Sequence, residues 1–471
     1  MRNMTEEKKE GTSKSRWALP HVFVLLFGII VFATVMTWIL PAGEFTRVAN
    51  KAGQKIVQAG TYHLVDAHPV GFFEMFKCIY LGMKDAAPVI LFVFISYAFI
   101  GLIIGSGAFD GLVARLLRSI KGRARVAIVP VFIVLISFAS STVGISEEAL
   151  PFIPIFVGIC IAMGYDAIVG MSIVCCATAI GYAGAFMNPF TVGTAQAIAE
   201  LPIMSGTGFR ILSHLAMAAV ASVYVMRYAL RIQADPQKSY MYGIKNEFAV
   251  TEEELSRHAF TFRHVLVLAV FFAGIVILVY GCKNYGWYFT ELSALFMIMG
   301  LLSAILVGWN PNKIARSLEK SFMDIAGACM MIGFARGILI VMQTGHVMDT
   351  FVYGMFLPLS GMPRLLAAEA MLIVQTLLNF LMPSGSGQAV VSMPIMAPLA
   401  DLLGLSRQLS VLCFQFGDGL SNIMWPTTNL PIACGIAGVS LAKWWKFFTP
   451  LFIMLVGVQA VMVAIGFFIG Y

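Results

Sequence analysis

Ser146-Glu147-Glu148-Ala149, followed by Pro154-Ile155 and Gly164, is echoed later in the chain by Ser386-Gly387-Gln388-Ala389, followed by Pro394-Ile395 and Gly404. One offset of 240 residues relates all of these pairs. A second echo sets Met187-Asn188-Pro189-Phe190-Thr191 against Met424-Trp425-Pro426-Thr427-Thr428, offset by 237. Each places Pro, Gly, Ser, Thr or charge inside an apolar stretch. Non-helical backbone at bilayer depth survives only where protein or a water-filled cavity covers it. Two such breaks at matching positions in two halves point to the binding site of a secondary transporter.

Composition supports the membrane reading. The chain has 471 residues, 59% hydrophobic and 12% charged, whereas a soluble domain carries about 25% charged residues. Its net charge of +7 fits basic cytoplasmic loops and implies no nucleic-acid partner. The eight cysteines (Cys78, Cys160, Cys175, Cys176, Cys282, Cys329, Cys413, Cys434) show no metal or disulfide spacing and read as packing residues. A charged N-terminus precedes an apolar run from Ala18 that is longer than the ~7–15 residues of a cleaved signal, so an uncleaved first span is expected.

Hydropathy and turn residues predict spans at 18–41, 88–106, 166–200 (broken at 187–194), 208–230 and 264–281, then 288–308, 325–344, 408–440 (broken at 424–429) and 447–470. Amphipathic stretches at 69–86 and 310–323 precede the second and seventh spans. Two apolar runs, 126–163 and 365–404, are interrupted in the middle. In 126–163 each arm is shorter than the ~20 residues a crossing needs, so both runs read as re-entrant hairpins. Lys8, Lys9, Lys14 and Arg16 place the N-terminus in the cytoplasm. The clusters Arg115–Arg125, Arg227–Lys238, Lys313–Lys320 and Lys443–Lys446 then all fall inside. The expected fold is an all-α membrane protein of about nine transmembrane helices with two opposed hairpins, built as an inverted repeat. Residues 1–17 form a cytoplasmic tail, 18–230 the first repeat, 231–287 a linker and connecting helix, and 288–471 the second repeat.

The polar groups at the interruptions are the candidates for chemistry. Glu147 and Glu148 at the first tip would cost at least ~2.5–3.5 kcal/mol at bilayer depth, so they should face a polar cavity, bind a cation or carry a proton, unless the tip reaches the headgroups. Ser146 adjoins them. Ser384, Ser386 and Gln388 form the second tip, where Gly385 and Gly387 permit close approach and helix-start amides suit a carboxylate. Asn188, Thr191 and Thr194, with Thr427, Thr428 and Asn429, lie at the broken helices, where Pro189 and Pro426 free carbonyls that could hold Na+ or substrate. Asp418, with Ser421 and Asn422 a turn on, is an intramembrane carboxylate and a candidate by default. Glu147, Glu148, Asn188 and Asp418 are the ion-coupling candidates. Arg336 is read as the single arginine in mid-span. Asp110 and Asp349 read as helix caps, and His214 as a satisfied polar group.

Several classes are disfavoured. The sequence contains no HExxH, P-loop or zinc spacing. Asp418 has Gln415 where an intramembrane aspartyl protease motif needs glycine, and no nucleophile–base pair is visible, so no enzyme is expected. No organic cofactor or metal centre is implied beyond a coupling Na+ or H+. A channel built from opposed re-entrant segments stays as a lower alternative.

The tips Gly144–Ala149 and Ser384–Ala389, with Met187-Asn188-Pro189-Phe190 and Phe414–Gly419 followed by Pro426-Thr427, occur in the order seen in a known family. Over nearly its whole length the chain resembles the YfcC family, within the anaerobic dicarboxylate carrier (DcuC-like) group of the ion transporter superfamily. It departs from the family at Ser146, where glycine is frequent, and at Pro383, where threonine is frequent. The resemblance implies an elevator-type secondary carrier, a homodimer in a bacterial inner membrane. Its substrate would be a small molecule of the arginine, ornithine or citrulline kind, or a dicarboxylate. Candidate intramembrane carboxylates outnumber Arg336, which favours a substrate with an amino group.

Overall fold

The computed structural model describes residues 21–49, 55–58, 60–109, 111, 122–244, 246, 248 and 260–471. Lys8, Lys9, Lys14, Arg16, Asp110, Arg115, Arg118 and Lys121 lie outside the described residues.

Apolar runs fold as helices because a helix satisfies its own backbone without water. In chain order these are α1 Val22–Ile39, α2 Phe72–Asp85, α3 Ala87–Gly105, α4 Ile128–Val143, α5 Ile153–Ala162, α6 Ala167–Ala183, α7 Thr194–Ile198, α8 Thr207–Ala234 and α9 Phe262–Tyr285. Then follow α10 Phe289–Leu306, α11 Pro311–Thr344, α12 Met348–Phe356, α13 Arg364–Leu381, α14 Gly385–Leu403, α15 Arg407–Ser421, α16 Leu430–Ala437 and α17 Leu441–Ile469. Among the described residues, eight helices are long and apolar enough to cross a membrane; two of them lie in the first arms of the predicted hairpins. The loop after α1 carries two small antiparallel sheets, Gly43–Glu44 with His63–Leu64 and Arg47–Ala49 with Lys55–Val57. Arg47 pairs with Asp349 at 2.8 Å, so Asp349, expected as a helix cap, instead anchors this loop; Val347 holds the cap position of α12, with no side-chain cap bond.

The helices sort into two groups. One contains α1, α2, α3, α9, α10 and α11, with α11 packed along α1, α2 and α3, and α10 along α3 and α9. The other contains the interrupted segments. There α4 and α5 pack on α6, α13 and α14 pack on α15, and α6 and α15 lie against each other. The groups touch where α3 meets the 3-10 turn Glu147–Phe152 and where α11 meets α16.

Both hairpins end in the same turn. Tyr165 N–H bonds Cys160 O at 2.9 Å, and Leu405 N–H bonds Ala400 O at 2.8 Å. Gly164 and Gly404 have φ of +82° and +64°, as this helix-ending turn requires. Asp166 and Ser406 then cap α6 and α15. The 240-residue offset of the sequence echo relates each of these pairs.

Two expectations are revised. Residues 310–323 and 325–344 form one uninterrupted helix, α11, because no Pro or turn residue separates the amphipathic part from the apolar part. The first break begins earlier than 187: α6 ends at Ala183, and a π-type turn, Pro189–Gly193, intervenes before α7. In the second, α15 ends at Ser421 and α16 starts at Leu430.

Candidate functional site

Both tips and both breaks border one cavity of about 200 Å³. Ser146, Glu147, Glu148, Thr191, Ser384, Gly385, Ser386, Asn422, Thr427, Thr428 and Asn429 line it on one side, with Tyr182 and Phe190. Asp85, Val89, Tyr288, Phe289, Ile332 and Arg336, from α2, α3, α10, α11 and the residue before α10, close the other side. The sequence brought the first set to notice. Asn188, Thr194, Gln388 and Asp418 do not line the cavity.

Each side chain has a local reason for its position. Gly144 ends α4 in a left-handed turn (φ +85°), and Tyr182 of α6 donates to its carbonyl at 2.9 Å. The chain then turns so that the Ser146 N–H donates to Glu148 Oε2 at 2.8 Å. Glu148 is buried. Asn429 reaches across from the second break, its Nδ2 donating to Glu147 Oε1 at 3.1 Å and Ser146 Oγ at 3.3 Å. The second tip is built differently. Ser384 caps α14 by accepting from Gly387 N–H at 3.3 Å. The first N–H groups of a helix lack intrahelical partners and carry its positive dipole end, and here residues 384–386 present that end to the cavity.

The carbonyls freed at the breaks are largely taken by neighbouring side chains. Gln415 Nε2 donates to Ala183 O at 3.0 Å and Ala185 O at 2.5 Å. Trp444 and Trp445 donate to Ile423 O and Met424 O, each at 2.8 Å. Thr427 donates to Phe380 O at 2.6 Å, Thr428 to Asn422 O at 2.6 Å, and Thr194 to Pro189 O at 3.1 Å. Asn188 is spent as a cap, its Oδ1 accepting from Phe190 N–H and Thr191 N–H. Gln388 donates to Gln375 Oε1 at 2.6 Å within its own hairpin. These backbone groups therefore hold the breaks together, which answers where their hydrogen bonds go.

Electrostatically the cavity is mixed and biased negative. Glu147 and Glu148 face it from one side, and an Asp85–Arg336 ion pair from the other. Tyr182, Phe190, Tyr288 and Phe289 add aromatic faces. Carboxylates beside aromatic rings favour an ammonium or guanidinium, and a helix start favours a carboxylate.

Four residues escaped the sequence reading. Tyr182 and Tyr288 sit in ordinary apolar runs, and Asp85 ends an amphipathic helix. Arg210 stands near the start of a span, yet it is fully buried and donates to Ser205 O at 2.8 Å and to Gln415 Oε1 and Gln408 Oε1 at 3.1 Å each. Through Gln415 it supports the first break, so the half-buried Arg336 is not the sole arginine of interest. His214 bonds Ser137 Oγ through Nε2 at 3.2 Å, while its Nδ1 has no partner among the described residues.

The DcuC family, described as C4-dicarboxylate anaerobic carrier, matches residues 19–468 of the chain. A protein of Escherichia coli (strain K12) provisionally named basic amino acid antiporter YfcC is 30% identical, over 98% of this chain and 99% of its own length. A protein of Haemophilus influenzae with no assigned activity is 28% identical over 97% of this chain and 98% of its own. Among solved structures, the Alcanivorax borkumensis YdaH transporter aligns with a TM-score of 0.44 and 16% identity, over 96% of this chain and 99% of that one.

Proposed function

The chain belongs to the DcuC carrier family, and from that premise we propose that it is a secondary transporter of basic amino acids of the arginine–ornithine–citrulline class. The observation that carries this reading is a single cavity between two hairpin tips, with Glu147 and Glu148 at one tip and the start of α14 at the other. An amino acid with a cationic side chain has charges to match. Its cationic end meets the glutamates and aromatic rings, and its α-carboxylate meets the Gly385 and Ser386 amides, since the Ser384 N–H is bonded to Met382 O. A relative provisionally named as a basic amino acid antiporter is consistent with this choice.

The movement follows from the halves. Matching hairpins and capped turns at an offset of 240 residues and breaks at 237 support an inverted repeat, and the two helix groups support an elevator in which the hairpin group carries the cavity past the other. Exchange, or coupling to H+ or Na+, would return the empty carrier. The reading extends to a homodimer in a bacterial inner membrane with the N-terminus inside, as the resemblance and the basic loops imply.

Counterflow in proteoliposomes tests the function. Labelled arginine should accumulate against internal ornithine, arginine or citrulline, saturably and without unitary currents. Uptake of succinate with no uptake of any amino acid would replace this reading with a dicarboxylate carrier, the activity the family description states. Two acidic residues and an internally paired Arg336 around the cavity argue against that outcome.

A further inference from the structure

The cavity has two unlike walls. Tips and breaks of the hairpin group form one; Asp85, Val89, Tyr288, Phe289 and Arg336 of the other helix group belong to the second. Asp85 is the last residue of α2, Val89 the third of α3 and Phe289 the first of α10. α3 has 19 residues and α10 has 18. At ~1.5 Å per residue they are roughly 27–29 Å long, just enough to cross a core of ~30 Å. Their first turns therefore lie at one membrane face, and the cavity stands level with them. Arg336 reaches that level from the last third of α11. Close packing holds it there. A side chain at Gly82 of α2 would place its first carbon 2.5 Å from Gly337 N and 2.7 Å from Gly333 O, so the backbones of α2 and α11 touch one turn from Asp85. Among the described residues, the far ends of α3, α10 and α11 hold no ion pair.

Arg336 Nε donates to Asp85 Oδ2. The two end nitrogens of its guanidinium have no partner among the described residues, and both side chains are half-buried. Arg336 thus carries the same charged group as the proposed substrate, on the wall opposite Glu147 and Glu148. Bare, it would repel a cationic side chain and compete for the glutamates; Asp85 masks it. Partly exposed charges of this kind act weakly, by up to about fivefold in an equilibrium constant.

We propose that the Asp85–Arg336 pair sets how strongly a cationic side chain is preferred over a neutral one, and does so at one membrane face only, the outer face in the orientation given above. This rests on the carrier reading. The walls meet through Phe190 and Tyr288, whose ring centroids are 5.7 Å apart, and they part when the hairpin group moves. The pair then stays behind on α2 and α11, and at the other face the glutamates select without it.

The test is counterflow of labelled arginine and citrulline in right-side-out and in inverted membrane vesicles loaded with ornithine. The readout is the ratio of KM at the outer face to KM at the inner face. For arginine, Asp85→Asn should raise this ratio about fivefold, because a bare guanidinium meets the incoming one. Arg336→Gln should lower it about threefold, because Asp85 becomes a third carboxylate. The double variant should return to within about twofold of the wild type, and the citrulline ratio should move less than about twofold throughout. Opposite signs separate the charge of the pair from a structural contact, whose loss would shift both single variants alike. Either single variant, with citrulline as control, carries the test where the other does not fold. Shifts of one sign in both variants, shifts equal at the two faces, or shifts equal for arginine and citrulline overturn the assignment and leave the carrier standing. No amino-acid flux in the wild type removes the carrier reading and the assignment with it.

Discussion

The two hairpin tips hold matching places in the sequence and border one cavity, yet they bring opposite chemistry to it. The first tip is an irregular turn with two carboxylates, kept in place by Asn429 from the far break. The second is a capped helix start with glycines and serines and no charge. The first offers acceptors and negative charge; the second offers backbone donors and a positive dipole end. The matched positions differ at Glu147 against Gly387 and at Glu148 against Gln388, and that difference gives the cavity unlike ends. The proposed substrate, with unlike ends, would then bind in one orientation.

That contrast is open to attack from the tips themselves. The largest effect expected is from Glu147→Gln with Glu148→Gln. Arginine counterflow should fall about 100-fold, as for the loss of roughly 3 kcal/mol from a charged hydrogen-bonded contact. Citrulline, similar in shape and uncharged at the side chain, should lose less than about tenfold, since only neutral hydrogen bonds are at stake. Equal losses for both substrates would erase the distinction between the tips. Gly385→Ala should then reduce arginine and citrulline alike by about tenfold, because the second tip serves the carboxylate both share and the added methyl meets Thr191 and Asp418; a selective loss of arginine would reverse the assignment. Asn429→Ala, which severs the tie between the first tip and the second break, should raise the KM for arginine about fivefold at unchanged expression, equivalent to ~1 kcal/mol. Ser384→Ala should be mildest on flux and cost about 1 kcal/mol of stability through the lost cap, read as a small drop in Tm.

Much of the architecture could be read from the chain because it follows from two strong rules: apolar length and the scarcity of polar backbone in lipid. Those rules located both helix interruptions and the turn that carries Glu147 and Glu148. They failed at 310–344, where an amphipathic helix runs into an apolar one with no residue to stop it, so one rod looked like two. The site was legible where Pro, Gly and charge coincide, as at Ser146–Glu148 and Ser384–Ser386. It was illegible where a side chain's task depends on what folds against it. Asn188 and Gln388 look like ligand groups, yet Asn188 Oδ1 caps Phe190 N–H and the Gln388 amide nitrogen is bonded to Gln375, and neither residue lines the cavity. Tyr182 and Tyr288 look like packing residues and face the cavity. Arg210 stands near the start of its span and gives no sequence sign that it reaches Gln415 from another helix.

A density map of the protein in lipid nanodiscs with saturating arginine would test the central claim most directly. The account predicts one ligand between residues 146–148 and 384–386, with its guanidinium toward Glu147 and Glu148 and its carboxylate at the start of α14. A ligand bound the other way round, or held elsewhere with the two tips apart, would contradict it.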